Sequence, residues 1–221
     1  MQQMNIAKLK LKSMICVAMT VSLMACTSKI PEPVITPVVE EKQQPIITPE
    51  HLWQQHQRAL SKIVSFKANG SLAYFSNKTK HYARFFFNQI SSTHYQLKLT
   101  TPVGGTVMEL MVKPNFVELT DRNGEKYQGT DVEDLLLELT NMNIPLKSIH
   151  NWLLGLSNNP VQDKINQDGY LKEAEFSQNS EMWQLNIQSY NTKEAIALPA
   201  QLQLTHKDDV IRLRINNWVL E

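Results

Sequence analysis

At 221 residues, with 22 Lys and Arg against 21 Asp and Glu and a formal net charge of +1, the chain lacks the excess of base that a nucleic-acid binder uses to neutralise phosphates. Hydrophobic residues at 42% and charged residues at 19% describe a globular protein able to bury a core. Its cysteines, Cys16 and Cys26, lie near the N-terminus, so the remainder has no thiol for a disulfide or a zinc-thiolate site.

Lys8, Lys10 and Lys12 precede an apolar run from Met14 to Leu23, the order of a secretory signal. The run falls well short of the roughly 20 residues that a helix needs to cross a bilayer, so residues 1–25 are expected to be removed. Leu23-Met24-Ala25-Cys26 resembles a bacterial lipobox, which implies cleavage before Cys26 and acylation of its thiol. The alternative is an ordinary signal with Cys26 left as a free thiol. Thr27 after the cysteine, rather than Asp, resembles outer-membrane sorting. Residues 26–48 carry Pro31, Pro33, Pro37 and Pro45; proline fixes φ and lacks a donor, so this stretch is read as an extended tether.

The folded domain is expected over residues 49–221. Thr48 as N-cap, Pro49 at the first helical position and Glu50 beside the positive dipole end predict a helix. Leu52, Trp53, His56, Ala59, Leu60 and Ile63 recur on one face of it. Strand alternation begins at Phe66 and runs through Ala68, Gly70, Leu72 and Tyr74. A second strand carries Phe85, Phe86 and Phe87, whose rings occupy both faces, as in a strand covered on both sides or lining an apolar cavity. Tyr95, Leu97 and Leu99 form a third, the turn Thr101-Pro102-Val103-Gly104-Gly105 reverses the chain, and Val107–Val112 returns. Phe116–Thr120 leads to Asp121-Arg122-Asn123-Gly124, whose Asn-Gly pair predicts a tight hairpin.

Two helices interrupt the strands. Thr130-Asp131-Val132-Glu133 fits a capping box, with Thr130 as N-cap and Glu133 bonding back; Val132, Leu135, Leu136 and Leu139 follow at helical spacing. Ile144-Pro145 starts the second, which runs through Ile149, Trp152 and Leu153 to Gly155, a residue suited to a left-handed cap. After the loop Ser157–Pro160, strands resume at Lys164–Gln167 and Tyr170–Gln178. Trp183, Leu185 and Ile187 form one face of the next strand, then Leu202 and Leu204, then Ile211, Leu213 and Ile215, before Asn216-Asn217-Trp218.

The sum is a mainly β (α+β) domain: an antiparallel meander long enough to curl toward a barrel, with helices over its mouth or in its interior. Periodicity leaves open whether that interior is packed solid or holds an apolar ligand. No Ser-His-Asp order, G-x-S-x-G, H-E-x-x-H or phosphate loop occurs, so no enzyme activity, cofactor or metal is expected. The histidines, of which His51 and His56 diverge around one helix, are read mostly as solvated surface residues. Asp208-Asp209 is read as hairpin chemistry rather than a catalytic dyad.

Tyr82-Ala83-Arg84-Phe85-Phe86, Leu97-Lys98-Leu99-Thr100-Thr101-Pro102-Val103-Gly104, Pro145-Leu146-Lys147-Ser148, Trp152-Leu153-Leu154-Gly155-Leu156 and Asn216-Asn217-Trp218 together resemble the LolB family of outer-membrane lipoprotein receptors of Gram-negative bacteria. The match is spread from Trp53 to Trp218. The resemblance implies an unclosed antiparallel β-barrel with helices covering an apolar cavity that accepts the acyl chains of other lipoproteins. It also implies delivery of that cargo by the periplasmic carrier LolA, insertion into the inner leaflet of the outer membrane without an energy source, and action as a monomer. The family's protruding loop, typically Asn-Pro-Leu, falls on Pro102, Val103 and Gly104, with Val103 at the tip and Thr101 in place of Asn. The residues alone leave open whether Val103 folds back onto the sheet or projects. Phe85, Phe86, Phe87, Leu97, Leu99, Leu135, Leu136 and Leu139 are the candidate cavity residues, and Cys26 the lipidation site. The main alternative is a lipocalin-like binding module for a small free lipid; an envelope enzyme and a solid-cored scaffold are the others.

Overall fold

The computed structural model describes residues 47–157, 162–178 and 180–221. Cys26, the signal, most of the tether and most of the loop through Asn158-Asn159-Pro160 lie outside the described residues. Helix α1 spans Pro49–Leu60, and the Thr48 side chain accepts from the His51 N–H as anticipated. Eleven strands follow: β1 Phe66–Phe75, β2 Lys80–Ser91, β3 His94–Thr100, β4 Thr106–Lys113, β5 Phe116–Asp121, β6 Lys126–Gly129, β7 Lys164–Ile165, β8 Leu171–Gln178, β9 Glu181–Asn191, β10 Leu198–His206 and β11 Asp209–Leu220. Between β6 and β7 lie α2, Val132–Thr140, a 3-10 turn Leu146–Ser148 and α3, Ile149–Leu154.

All eleven strands form one antiparallel sheet in the order β6-β5-β4-β3-β2-β1-β11-β10-β9-β8-β7. Two meanders are joined where the first strand pairs with the last, Leu72 opposite Leu213. The edges β6 and β7 do not pair with each other, so the barrel is unclosed. Strand alternation sends one set of side chains to the concave side. There Phe85, Leu97, Leu99, Leu110, Leu119, Trp183, Leu185, Leu204 and Ile211 are buried. Helix α2 packs on β5 and β6, α3 on β10 and α1 on β7. The core runs from Trp53 to Trp218 within a single compact unit, residues 44–221. That unit therefore holds its whole apolar core and is equipped to fold by itself.

Alternation breaks in β11 because of a bulge. Asn69 faces Asn217 while Gly70 faces Ile215, which leaves Asn216 as the extra residue. A Cβ on Gly70 would sit 1.9 Å from the Arg214 carbonyl oxygen, so only glycine permits this approach. The strand then continues instead of ending, and Trp218 turns inward opposite Ala68, its Nε1 donating to the Pro199 carbonyl at 3.0 Å.

One local expectation is corrected and two are refined. The α2 N-cap is Asp131, not Thr130; its carboxylate accepts from the Glu133 and Asp134 N–H groups. Glu133 is thereby released from a capping box and accepts instead from the Lys147 N–H at 3.0 Å. The hairpin expected at Asn123-Gly124 forms, with a three-residue loop, because Gly124 N–H closes onto Asp121 O and Asp121 N–H onto Glu125 O. A type I turn followed by a left-handed glycine produces that geometry, where a two-residue loop would need positive φ at both positions. Among the histidines, read as mostly solvated, His56 on the packed face of α1 and His206 are buried. The His56 ring nitrogen pairs with the Ala197 carbonyl at 2.7 Å, and burial lowers its pKa more than that bond raises it.

Candidate functional site: an apolar chamber and an apolar tip

The concave face of β1 to β4 and β11 is roofed by α2, the 3-10 turn and α3. Phe85, Phe87, Leu97, Leu99 and Leu136, all anticipated, line one enclosed chamber between sheet and roof. Leu72, Met108, Ile211 and Leu213 complete its floor, and Ile144, Leu146, Ile149, Trp152 and Leu153 its ceiling. Every lining side chain is apolar. The free volume is about 20 Å³, room for about one water, which has no polar partner there. The roof is therefore packed down onto the floor.

Phe86 does not line the chamber. Its neighbours Phe85 and Phe87 point inward, and the two-residue period of β2 sends the middle ring to the outer face, where it is 50% exposed. Leu135 and Leu139 pack half-buried against the core without lining the chamber, since α2 turns only one narrow stripe, centred on Leu136, toward the sheet. Of the lining residues not singled out beforehand, Leu72, Ile211 and Leu213 carried strand alternation and Ile149, Trp152 and Leu153 helical spacing. Ile144 precedes Pro145 outside any regular element and Leu146 opens the 3-10 turn after it, and no period marks them.

Polar bonds at the rim hold the roof in place. Tyr95 Oη donates to the Leu146 carbonyl at 3.2 Å, and Trp152 Nε1 to the Pro145 carbonyl at 2.9 Å. Tyr74 Oη donates to Asp209 Oδ1 at 2.8 Å and accepts from the Asn143 N–H at 3.3 Å; its pKa is pushed up to about 12, first by burial. Lys147 Nζ bridges Asp131 at 2.6 Å and Glu133 at 3.6 Å, tying the start of α2 to the 3-10 turn. Among the described residues no group of three or more His, Cys, Asp or Glu could hold a metal ion.

At one end of the sheet, the β3–β4 hairpin presents Val103. Thr101 N–H bonds Gly105 O at 2.7 Å and Gly104 N–H bonds Thr101 O at 2.9 Å, with Gly104 at φ +101. Thr101 Oγ1 accepts from the Gly105 N–H at 3.0 Å, so threonine supplies a loop-closing acceptor where the family typically has asparagine. Val103 stands on this loop 95% exposed. It projects and does not fold back.

An unclosed antiparallel sheet curled over an apolar chamber under a helical roof defines the class of fold. A solved LolA-superfamily protein from Nitrosomonas europaea superposes with a TM-score of 0.51 at 11% identity, over 79% of this chain and 94% of that one. A family profile described as outer membrane lipoprotein LolB matches residues 64–218. The "Outer-membrane lipoprotein LolB" of Photorhabdus laumondii is 40% identical over 166 residues, 75% of this chain and 80% of that protein. The protein of the same name from Yersinia pseudotuberculosis is 37% identical over 169 residues, 76% and 82% of the two chains. The chain belongs to the LolB family of outer-membrane lipoproteins.

Proposed function

We propose that this protein is the receptor that accepts acylated lipoproteins from the periplasmic carrier LolA and passes them into the inner leaflet of the outer membrane. The observation that carries the reading is the chamber: an all-apolar space between a curved sheet and a roof of short helices. Acyl burial is worth roughly 0.8 kcal/mol per methylene in any apolar medium, so moving a chain from carrier to receptor to bilayer exchanges like for like. Small affinity differences set the direction, and no catalytic step or bound nucleotide is required. Because the empty chamber has no room for an acyl chain, loading lifts α2 and α3 off the floor. The space filled in the cargo-free state by Leu136, Leu146 and Trp152 becomes the space that cargo fills.

In this reading residues 1–25 are removed, Cys26 carries the anchor and residues 26–48 tether the domain. Val103, raised on its hairpin, touches the bilayer during insertion. The test is reconstituted transfer, in which carrier loaded with a labelled lipoprotein is mixed with this protein and then with vesicles. Cargo should move first to the protein and then to the lipid; cargo that stays on the carrier overturns the proposal. Displacement of bound cargo by free fatty acid as readily as by an acylated peptide would favour the lipocalin-like alternative.

A further inference from the structure

On the outer face of the sheet, positive charge is for the most part matched across strands. Lys98 pairs with Glu109 at 2.5 Å, Lys126 with Glu118 at 2.9 Å, Lys164 with Glu173 at 2.6 Å and Lys207 with Glu181 at 2.8 Å. One region departs from this pattern. Arg84 and Arg214 flank Ser71 from the two neighbouring strands, and in the next row Arg212 and Tyr82 flank Ala73. Three exposed guanidiniums thus share one patch. None has a carboxylate partner among the described residues; Arg212 bonds Gln203 Oε1 at 2.8 Å and lies 5.4 Å from the Phe75 ring centre. The shallow depression they line contains no acidic residue, and Pro102 forms part of its wall.

Like charges in adjacent rows without a counter-charge oppose folding slightly and offer the fold nothing in return. Guanidinium forks match phosphate oxygens, whereas an ammonium acts only as a point charge. Tyr82, 61% exposed beside them, has the apolar ring and polar tip of a residue at a bilayer interface. The depression is continuous, through Pro102, with the hairpin that projects Val103. We propose that the Arg84–Arg212–Arg214 face docks on anionic phospholipid headgroups, with the guanidiniums at phosphate level while Val103 enters the apolar layer. With a formal net charge of only +1, the attraction is local to this face. The proposal rests on the reading of the Val103 hairpin as the membrane-facing end.

The test uses residues 44–221 without an anchor, co-sedimented with vesicles of phosphatidylcholine alone or with about a quarter phosphatidylglycerol. Binding should be stronger to the anionic vesicles, fall as salt is raised, and drop about fivefold for each guanidinium removed in Arg84→Gln, Arg214→Gln and the double variant. These side chains point into solvent, so the thermal midpoint should not fall. Equal binding to both vesicles, or anionic binding unchanged in the double variant, overturns the proposal. Loss of binding in Val103→Asn with the arginine variants unaffected would leave the hairpin reading standing and remove this one. The reverse pattern would keep the arginine face and remove the hairpin. If the double variant instead fails to take cargo from the carrier with no vesicles present, the face meets an acidic protein surface and the lipid assignment is wrong.

Discussion

The β3–β4 and β5–β6 hairpins close in the same way and end differently. In both, the first residue's N–H bonds the fifth residue's carbonyl, at 2.7 and 2.9 Å, and the fourth residue, Gly104 or Gly124, folds back onto the first. Both glycines hold positive φ, +101 and +85. In both, a side-chain oxygen of the first residue accepts from the fifth N–H, Thr101 at 3.0 Å and Asp121 at 2.9 Å. Only the tips diverge: Arg122-Asn123 on one, where Asn123 also bonds the Asp121 carboxylate, and Pro102-Val103 on the other. A polar tip satisfies this backbone fully. The exposed valine is therefore not demanded by folding, which leaves it free for the bilayer contact proposed above.

The comparison is sharpened first by an apolar residue that the fold does need. Phe85, 2% exposed on the chamber floor, should lose about 3–5 kcal/mol of stability on truncation to alanine, seen as an earlier urea midpoint. If Phe85→Ala were as mild as a change at Val103, burial would not be what separates the two. Next, Gly104→Val and Gly124→Val should each cost about 1–2 kcal/mol. Both glycines have open space where a Cβ would go, so only backbone strain is measured. Clearly unequal losses in thermal unfolding would break the equivalence of the two hairpins.

Acid should loosen the helical side and spare the hairpins. Burial lowers the pKa of His56 on α1 and of His150 on α3. In the unfolded chain these rings take up protons near pH 6.5, while the folded protein resists doing so. The unfolded state then binds more protons, and stability declines as pH falls through that value. Hydrogen exchange at pH 5 should quicken in α1 and α3 before it quickens at residues 101–105 or 121–125, and His56→Gln should flatten the slope of stability against pH. The smallest effect on stability belongs to Val103→Glu, within about 0.5 kcal/mol as for an ordinary surface change. The same variant should still accept lipoprotein from the carrier yet release it poorly into vesicles. Normal release would return Val103 to the status of the polar tip next door.

Much of this architecture was legible as pattern. Alternation at Leu72, Phe85, Leu97 and Ile211 placed one side chain in two on a common face, and the spacing of Ile149, Trp152 and Leu153 placed the roof. Where pattern failed, a contact distant in sequence had intervened. The Phe85-Phe86-Phe87 run is uniform in letters, and only the pleat assigns the middle ring to the outside. Asn216 breaks the alternation because Gly70, far away in the chain, lets Arg214 come close.

The sequence by itself determined the fold class, because backbone periods and turn residues are local properties, and the resemblance of its motifs supplied the family. The structure decided three further matters, the first and last of them set by how distant strands and helices meet. The first is that the chamber is packed shut, a consequence of α2 and α3 seating on a floor built from β1 to β4 and β11. The second is that Val103 projects, held up by the bonds of Thr101 and Gly104. The last is that Arg84, Arg212 and Arg214 form one face, which exists only because the first strand pairs with the last.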